Sequence, residues 1–195
     1  MVDVVALGDV LIDFICIDLN KTGYPILDSY PGGNTIHYLS AIANNGAKTA
    51  VLGKVGADIF GEKIMSTLNL AGIEVRGLVT SDNEFTTLKF MHLNERGDLK
   101  ISFARKPGAD SCIRFDELDF SLIDEAMVFS FGGLALTNGP IRSTTYQAVA
   151  YAKSKGKLIS YNSSCEKTLW SSAEDAKKQV KWGLRQADIV KISDE

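Results

Sequence analysis

The chain has 195 residues, 45% of them hydrophobic, and a formal charge of −3, which suits one globular domain with a real core. So small a charge excludes the electrostatic footprint of a nucleic-acid or membrane-surface binder. With no run of about 18 apolar residues and no charged-then-apolar leader at the N-terminus, a membrane span is excluded and a cytoplasmic location is expected.

Val4-Val5-Ala6-Leu7-Gly8 is a short apolar run ending in glycine, the pattern of a strand buried on both faces. Leu11 to Leu19 is strand-like but carries Asp13 and Asp18, and Tyr24 to Tyr30 is its return across the Thr22-Gly23 turn. Ile36, Leu39, Ile42 and Ala43 mark one face of a helix over Asn34 to Asn45, closed by Gly46. Thr49 to Gly53 is a second buried strand, and a helix follows from Phe60 to Ala71 with Asp58 near its start. Phe85 to Leu93 and Leu99 to Ala104 alternate polar and apolar residues around Asn94-Glu95-Arg96-Gly97-Asp98, which predicts a hairpin with one wet face. Ala126 to Phe131 is another apolar strand. Pro140 begins a helix that stops at Gly156, and Leu158 to Tyr161 is a strand. Ser171-Ser172-Ala173-Glu174-Asp175 offers a capping box for a helix to Ala187, before a last strand at Ile189 to Ile192.

Alternating strands and helices predict a parallel sheet covered on both faces, with the two early hairpins forming a small separate sheet or lid. The chain stops just after a strand, so an unfinished sheet with an uncovered edge is expected. Cys16, Cys112 and Cys165 are odd in number and widely spaced, and read as buried or idle thiols.

The junction Tyr30-Pro31-Gly32-Gly33-Asn34-Thr35-Ile36-His37 turns an extended segment into a helix. Two glycines permit φ > 0 and close approach of a ligand. The first helical N–H groups would point into that gap and suit a polar or anionic small molecule. The alternative is a plain tight turn.

Several segments stand in a set order and spacing: Gly8-Asp9-Val10-Leu11-Ile12-Asp13-Phe14, the Pro31-Gly32-Gly33 turn, Gly46-Ala47-Lys48-Thr49, Leu52-Gly53-Lys54-Val55-Gly56 and Asp58-Ile59-Phe60-Gly61. Pro107-Gly108-Ala109-Asp110, Phe131-Gly132-Gly133-Leu134 and Ala187-Asp188-Ile189-Val190-Lys191 follow. Together they resemble the N-terminal part of a PfkB-type (ribokinase-like) carbohydrate kinase, most of all the fructokinase type, over the whole chain. The resemblance implies a three-layer α/β/α fold with a mainly parallel central sheet, truncated here, and a β-lid formed by segments near 11–30 and 85–104. It also implies transfer of the ATP γ-phosphoryl group to a sugar hydroxyl with Mg²⁺, and a homodimer made through the lid.

Carried over residue by residue, Asp13 matches an aspartate that accepts from sugar hydroxyls, as an ionised carboxylate can from two vicinal hydroxyls. Its alternative is a solvated strand aspartate. Gly32 and Gly33 match the turn that sugar approaches, with Asn34 opening the helix beside it. Arg105 matches a lid arginine facing substrate, or is solvated. His37 stands where the family has asparagine, and either donates to a hydroxyl or packs on the helix. The family's Asp-Pro-Asn-x-Arg reads here Asn162-Ser163-Ser164-Cys165-Glu166, reversing the charge at its end.

The family's Asn-x-x-Glu element would begin at Ser193, and its Gly-Ala-Gly-Asp segment with the catalytic aspartate has no counterpart in these residues. No phosphate loop or GxGxxG replaces it, which argues against a dinucleotide-binding dehydrogenase half. No catalytic or metal-ligating residue is therefore assigned. The expectation is a sugar-holding portion without turnover of its own, or else a non-catalytic sugar-binding or dimerising remnant.

Overall fold

A computed structural model of the chain describes residues 2–93, 97–137, 139–163 and 166–192. In chain order the elements are β1 (Val4–Leu7), β2 (Leu11–Leu19), β3 (Pro25–Gly32), α1 (Asn34–Asn44), β4 (Thr49–Gly56), α2 (Ile59–Leu70), β5 (Leu78–Ser81), β6 (Thr87–Leu93) and β7 (Leu99–Ala104). They continue with α3 (Phe120–Glu125), β8 (Val128–Gly132), α4 (Pro140–Ser154), β9 (Leu158–Asn162), α5 (Ala173–Gln186) and β10 (Ile189–Lys191).

Six strands form one parallel sheet in the order β10-β9-β8-β1-β4-β5. β1 sits inside it, pairing Val4 with Thr49 on one side and with Val128 on the other. Side chains of a strand alternate between faces, so Val4 and Ala6 meet Ile36 and Leu39 of α1 and Ile64 and Leu68 of α2. Val5 and Leu7 point the other way, with Phe129, Phe131 and Tyr161, onto α3 and α4. Burying each such large side chain contributes roughly 1.5–3 kcal/mol. The result is the expected α/β/α layering. The edge strand β10 is exposed, with Ile189 and Val190 open to solvent. Among the described residues no helix is long and apolar enough to cross a membrane.

The two hairpins form a second sheet of order β3-β2-β6-β7, joined by a parallel β2–β6 pairing. On one side Phe14 stacks on Phe90 at 5.1 Å and meets Phe60 of α2 edge-on at 5.7 Å, which seats this sheet on the core. On the other side the register aligns Tyr30, Asp13, Lys89 and Phe103 in one row across all four strands. Further out, Ile15, Met91 and Ile101 form the next row. A bulge between Cys16 and Asp18 shifts the β2–β3 register near the tip.

The chain crosses between the sheets four times, and carboxylates tie each crossing. Asp9, between β1 and β2, accepts from Asn34 N and Thr35 Oγ1 at the β3–α1 crossing. Asp58, which caps α2 through Phe60 N and Gly61 N, also accepts from Thr86 N at 2.8 Å and Thr86 Oγ1 at 2.9 Å, just before β6. Asp110 holds Arg105 after β7 and accepts from Thr87 Oγ1.

Several expectations need correction. The third strand starts at Pro25 and runs through Pro31 to Gly32, so the turn before α1 is Gly33 alone. The hairpin strand expected from Phe85 starts at Thr87, because Thr86 is held by Asp58 and Phe85 is 79% exposed. β5 and α3 were not read from the sequence: Leu78–Ser81 is a four-residue edge strand, and Phe120–Glu125 is too short for a helical period to show. The capping box is half made. Ser172 caps α5 by accepting from Asp175 N, but the Asp175 carboxylate is paired with Arg142 at 2.6 Å. Cys16 and Cys112 are free, half-buried thiols, which fits the idle half of the reading and not the buried half. Asn94 to Arg96, Ser164, Cys165 and Ser193 to Glu195 lie outside the described residues.

Candidate functional site

In the core sheet, β4 and β5 lie on one side of β1 while β8, β9 and β10 lie on the other. Connections therefore diverge between β1 and β8, and in open α/β sheets a crevice forms beyond the carboxyl ends of the strands at such a point. The residues just past these two strands, Asp9, Leu11 and Leu134, line a cleft there. Gly33, Asn34 and His37 of the α1 start form its core-side wall with Glu166, and Lys89 and Phe103 of the small sheet close it from above. The cleft measures about 330 Å³ counting its open mouth. A smaller hollow adjoins it at Asn34 and is floored by Thr35, Tyr38, Gly132 and Asn162.

The Gly-Gly turn is explained by two carboxylates. A Cβ on Gly32 would lie 2.2 Å from Asp13 Oδ2, and one on Gly33 would lie 2.6 Å from the Asp9 carbonyl oxygen and 2.9 Å from Asp9 Oδ2. Gly33 also has φ +102°, a conformation that side-chain-bearing residues avoid. The glycines thus make room for the chain's own acids as much as for a ligand. Asp9 is 1% exposed, and its Oδ2 accepts from Asn34 N at 2.7 Å. The positive pole of α1, expected to face a ligand anion, holds this internal carboxyl group. Burial pushes the Asp9 carboxyl above its ordinary value, against the hydrogen bonds from Thr35 and Asn34 that pull it down.

Asp13 is 5% exposed at the base of β2. His37 Nε2 lies 3.5 Å from its Oδ2 and Lys89 Nζ lies 3.5 Å from its Oδ1. Both distances are at the limit of hydrogen bonding, and Oδ1 has no hydrogen-bond partner. A buried carboxylate oxygen without a donor is costly, so a ligand hydroxyl that donates to it would be well received. His37 is mostly exposed rather than packed, consistent with a side chain that faces the cleft.

Arg105 is placed differently from both sequence readings. It is 8% exposed and its guanidinium clamps Asp110, with Nε 3.0 Å and Nη2 2.9 Å from Oδ2. Nη1 donates to Thr137 Oγ1 at 3.1 Å. It is neither solvated nor part of the cleft lining. Its charge is used to fasten the small sheet to the core.

The structure thus places Gly33, Asn34 and His37 in the cleft lining, sets Asp13 and Gly32 just behind it against His37 and Lys89, and leaves Arg105 bound to Asp110. Sequence reasoning missed Asp9, Lys89 and Phe103 as site residues. The signal for Lys89 was available: it is the one charge in the strand run Thr87 to Met91. Its meaning depended on a register with Asp13 that only the β2–β6 pairing supplies. Among the described residues no group of three or more His, Cys, Asp or Glu side chains is arranged to hold a metal ion. The expected Asn-x-x-Glu element, which would begin at Ser193, lies outside the described residues.

The model of the pfkB family carbohydrate kinases matches residues 1–195. Probable fructokinase-3 of Arabidopsis thaliana is 34% identical over 193 residues, covering 98% of this chain and 56% of that protein. Fructokinase-2 of Solanum lycopersicum is also 34% identical, with 98% and 59% covered. The crystal structure of fructokinase from Xylella fastidiosa superposes with a TM-score of 0.91 at 26% identity, over 96% of this chain and 58% of that one. Its form with bound ATP gives 0.89 at 25% identity, over 97% and 61%. The chain spans less than two thirds of the length of each of these relatives, and matches them along nearly all of its own. Sheet order, cleft position and family match agree: this chain belongs to the pfkB family of carbohydrate kinases.

Proposed function

We propose that this chain holds a sugar for ATP-dependent phosphorylation of one of its hydroxyls, with fructose as the first substrate to test. The observation that carries this reading is the Asp13 carboxylate, buried, short of a donor at Oδ1, and flanked by His37 and Lys89 beside the crevice. Sugar hydroxyls would donate to its oxygens, His37 would orient a second hydroxyl, and Phe103 and Leu134 offer apolar surface to the ring's C–H groups. ATP and Mg²⁺ are the co-substrates the family implies, and the fructokinase of Xylella fastidiosa is a relative seen with ATP.

In this reading the 195 residues bind sugar without turning it over alone. Phosphoryl transfer rests on positioning and on charge stabilisation around the transferred group. The cleft's acids already have other tasks: Asp9 fastens α1, and Asp13 receives hydroxyls. Glu166 offers negative charge where the family has an arginine. Calorimetric titration with D-fructose should give binding heat that Asp13→Asn abolishes, while a coupled assay with ATP, Mg²⁺ and fructose should show no turnover. Absence of heat with every neutral hexose refutes the sugar reading, and turnover above an Asp13 variant refutes the second clause.

A non-catalytic, dimerising role is favoured by one further observation. The cleft-side face of the small sheet continues outward into Ile15, Met91, Leu93, Leu99 and Ile101, several of them open to solvent. Such a patch associates, and a second copy of the same sheet is the proposed occupant.

A further inference from the structure

Resting on the sugar-cleft reading, we infer that Lys89 is a specificity-determining residue: with Asp13 it selects a neutral hydroxyl at this position and rejects both amino and carboxylate substituents. Asp13 and Lys89 face each other across the β2–β6 register, both aimed to the cleft side of the small sheet. Asp13 Oδ1 is buried without a donor, and among the described residues Lys89 Nζ is paired with that carboxylate alone, at 3.5 Å. The lysine side chain is 22% exposed and lines the cleft with Phe103, His37 and Asn34. An acceptor and a donor thus sit side by side, near each other but not joined.

Only an amphoteric group satisfies both. A hydroxyl has one O–H to give Asp13 Oδ1 and lone pairs to receive from Lys89 Nζ, so one oxygen completes both partners. An ammonium could donate to Asp13 but would lie against the lysine's charge. A carboxylate could accept from Lys89 but would lie against Asp13. In a cleft walled by Leu11, Phe103 and Leu134, such like-charge contacts are poorly screened. His37 stands at the other oxygen, Oδ2, where a second hydroxyl on the neighbouring carbon would fit. Asp13 without Lys89 would be a bare buried anion, which prefers an ammonium.

Selectivity is therefore the readout, because a purely structural lysine would change affinity for all sugars alike. Binding would be measured by calorimetry for D-fructose against fructosamine and for D-glucose against glucosamine and gluconate, with wild type, Lys89→Met and Lys89→Arg. Wild type should favour the hydroxyl sugar of the better-bound pair by about tenfold or more, the scale of one hydrogen bond to a charged group. Lys89→Met should shift the hydroxyl-to-amino ratio by about tenfold toward the amino sugar, and Lys89→Arg should keep the wild-type order. A ratio unchanged in Lys89→Met while wild type still binds neutral hexose overturns this inference and leaves the sugar-cleft reading standing. Wild-type preference for the amino sugar overturns it equally. Failure of wild type to bind any sugar in either series removes the sugar-cleft reading and this inference with it.

Discussion

Alanine at Gly33 tests whether the turn before α1 is shaped by the chain's own carboxyl groups. Two costs arise there. With φ at +102° and ψ at 146° the position lies where residues with a Cβ are strained by about 1–3 kcal/mol. The added Cβ also meets the Asp9 carbonyl oxygen at 2.6 Å, a backbone atom that cannot swing aside, and overpacking of this kind costs about 1–3 kcal/mol. The two together amount to about 2–6 kcal/mol, a large share of the roughly 5–15 kcal/mol that holds a domain folded. Gly23 supplies the control, since it has φ +82° but nothing within 4 Å of a Cβ. Gly23→Ala should cost about 1–2 kcal/mol, from conformation alone. Gly32→Ala is a third arm, because there φ is ordinary and the clash is with the Asp13 carboxylate at 2.2 Å. It should lower sugar affinity more than stability, by turning Asp13 out of position. Urea unfolding of the variants, with fructose titrations of those that fold, reads all three. Equal losses for Gly33→Ala and Gly23→Ala would show that Asp9 does not fill the turn, and would refute the reasoning.

Other outcomes follow from the same groups. Asp9 and Asp58 should show opposite pH signatures. The raised Asp9 carboxyl makes a contribution that is fullest below the ordinary value of 3.8 and is lost as pH rises through its folded value, so wild type should lose ground to Asp9→Asn between acid and neutral pH. Burial alone would raise the Asp58 carboxyl, but donation from Thr86, Gly61 and Phe60 holds it below 3.8. Its contribution is present above that value and lost as pH falls through the lowered one, so Asp58→Asn should cost more at neutral pH than in acid; unfolding free energies across the range check both signs. Arg105→Ala strips Asp110 of its buried partner and should cost about 3–5 kcal/mol in thermal or urea unfolding, with Arg105→Lys a poor rescue because it cannot supply the fork. Ile15→Asp with Leu93→Asp should convert the proposed dimer to a monomer in light scattering, and an unchanged mass would exclude that face as the interface.

The apolar runs at Val4, Thr49, Ala126 and Leu158, each flanked by glycine, turn or helix signals, made the layered sheet readable from the sequence. The two alternating hairpins announced a second sheet. What pattern could not supply was register. Asp13 was visible as an acid within an apolar stretch, whereas Lys89 acquires meaning only once β2 and β6 pair in parallel across a long separation in sequence. Arg105 shows the converse: its motif pointed to substrate, but the Asp110 carboxylate five residues on lies within its reach after the chain turns back to the core. Asp9 looks in sequence like part of a strand end, because its bond to the start of α1 depends on a helix 25 residues later. Local signals thus gave the elements, and long-range pairing decided which charges face the cleft.

The ties at the four chain crossings have a mechanical consequence. A small sheet held to the core at Asp9, Asp58 and Asp110 is stiffened at its root, and these ties resist a door-like swing. Bending is then easier in the strands themselves, toward the Cys16–Asp18 bulge and the outer hairpin ends. The row bearing Asp13 and Lys89 lies nearer the root than the tips do and would move less if they bend. The contacts that recognise a ligand would then be in place before it arrives, and only the outer roof would need to follow.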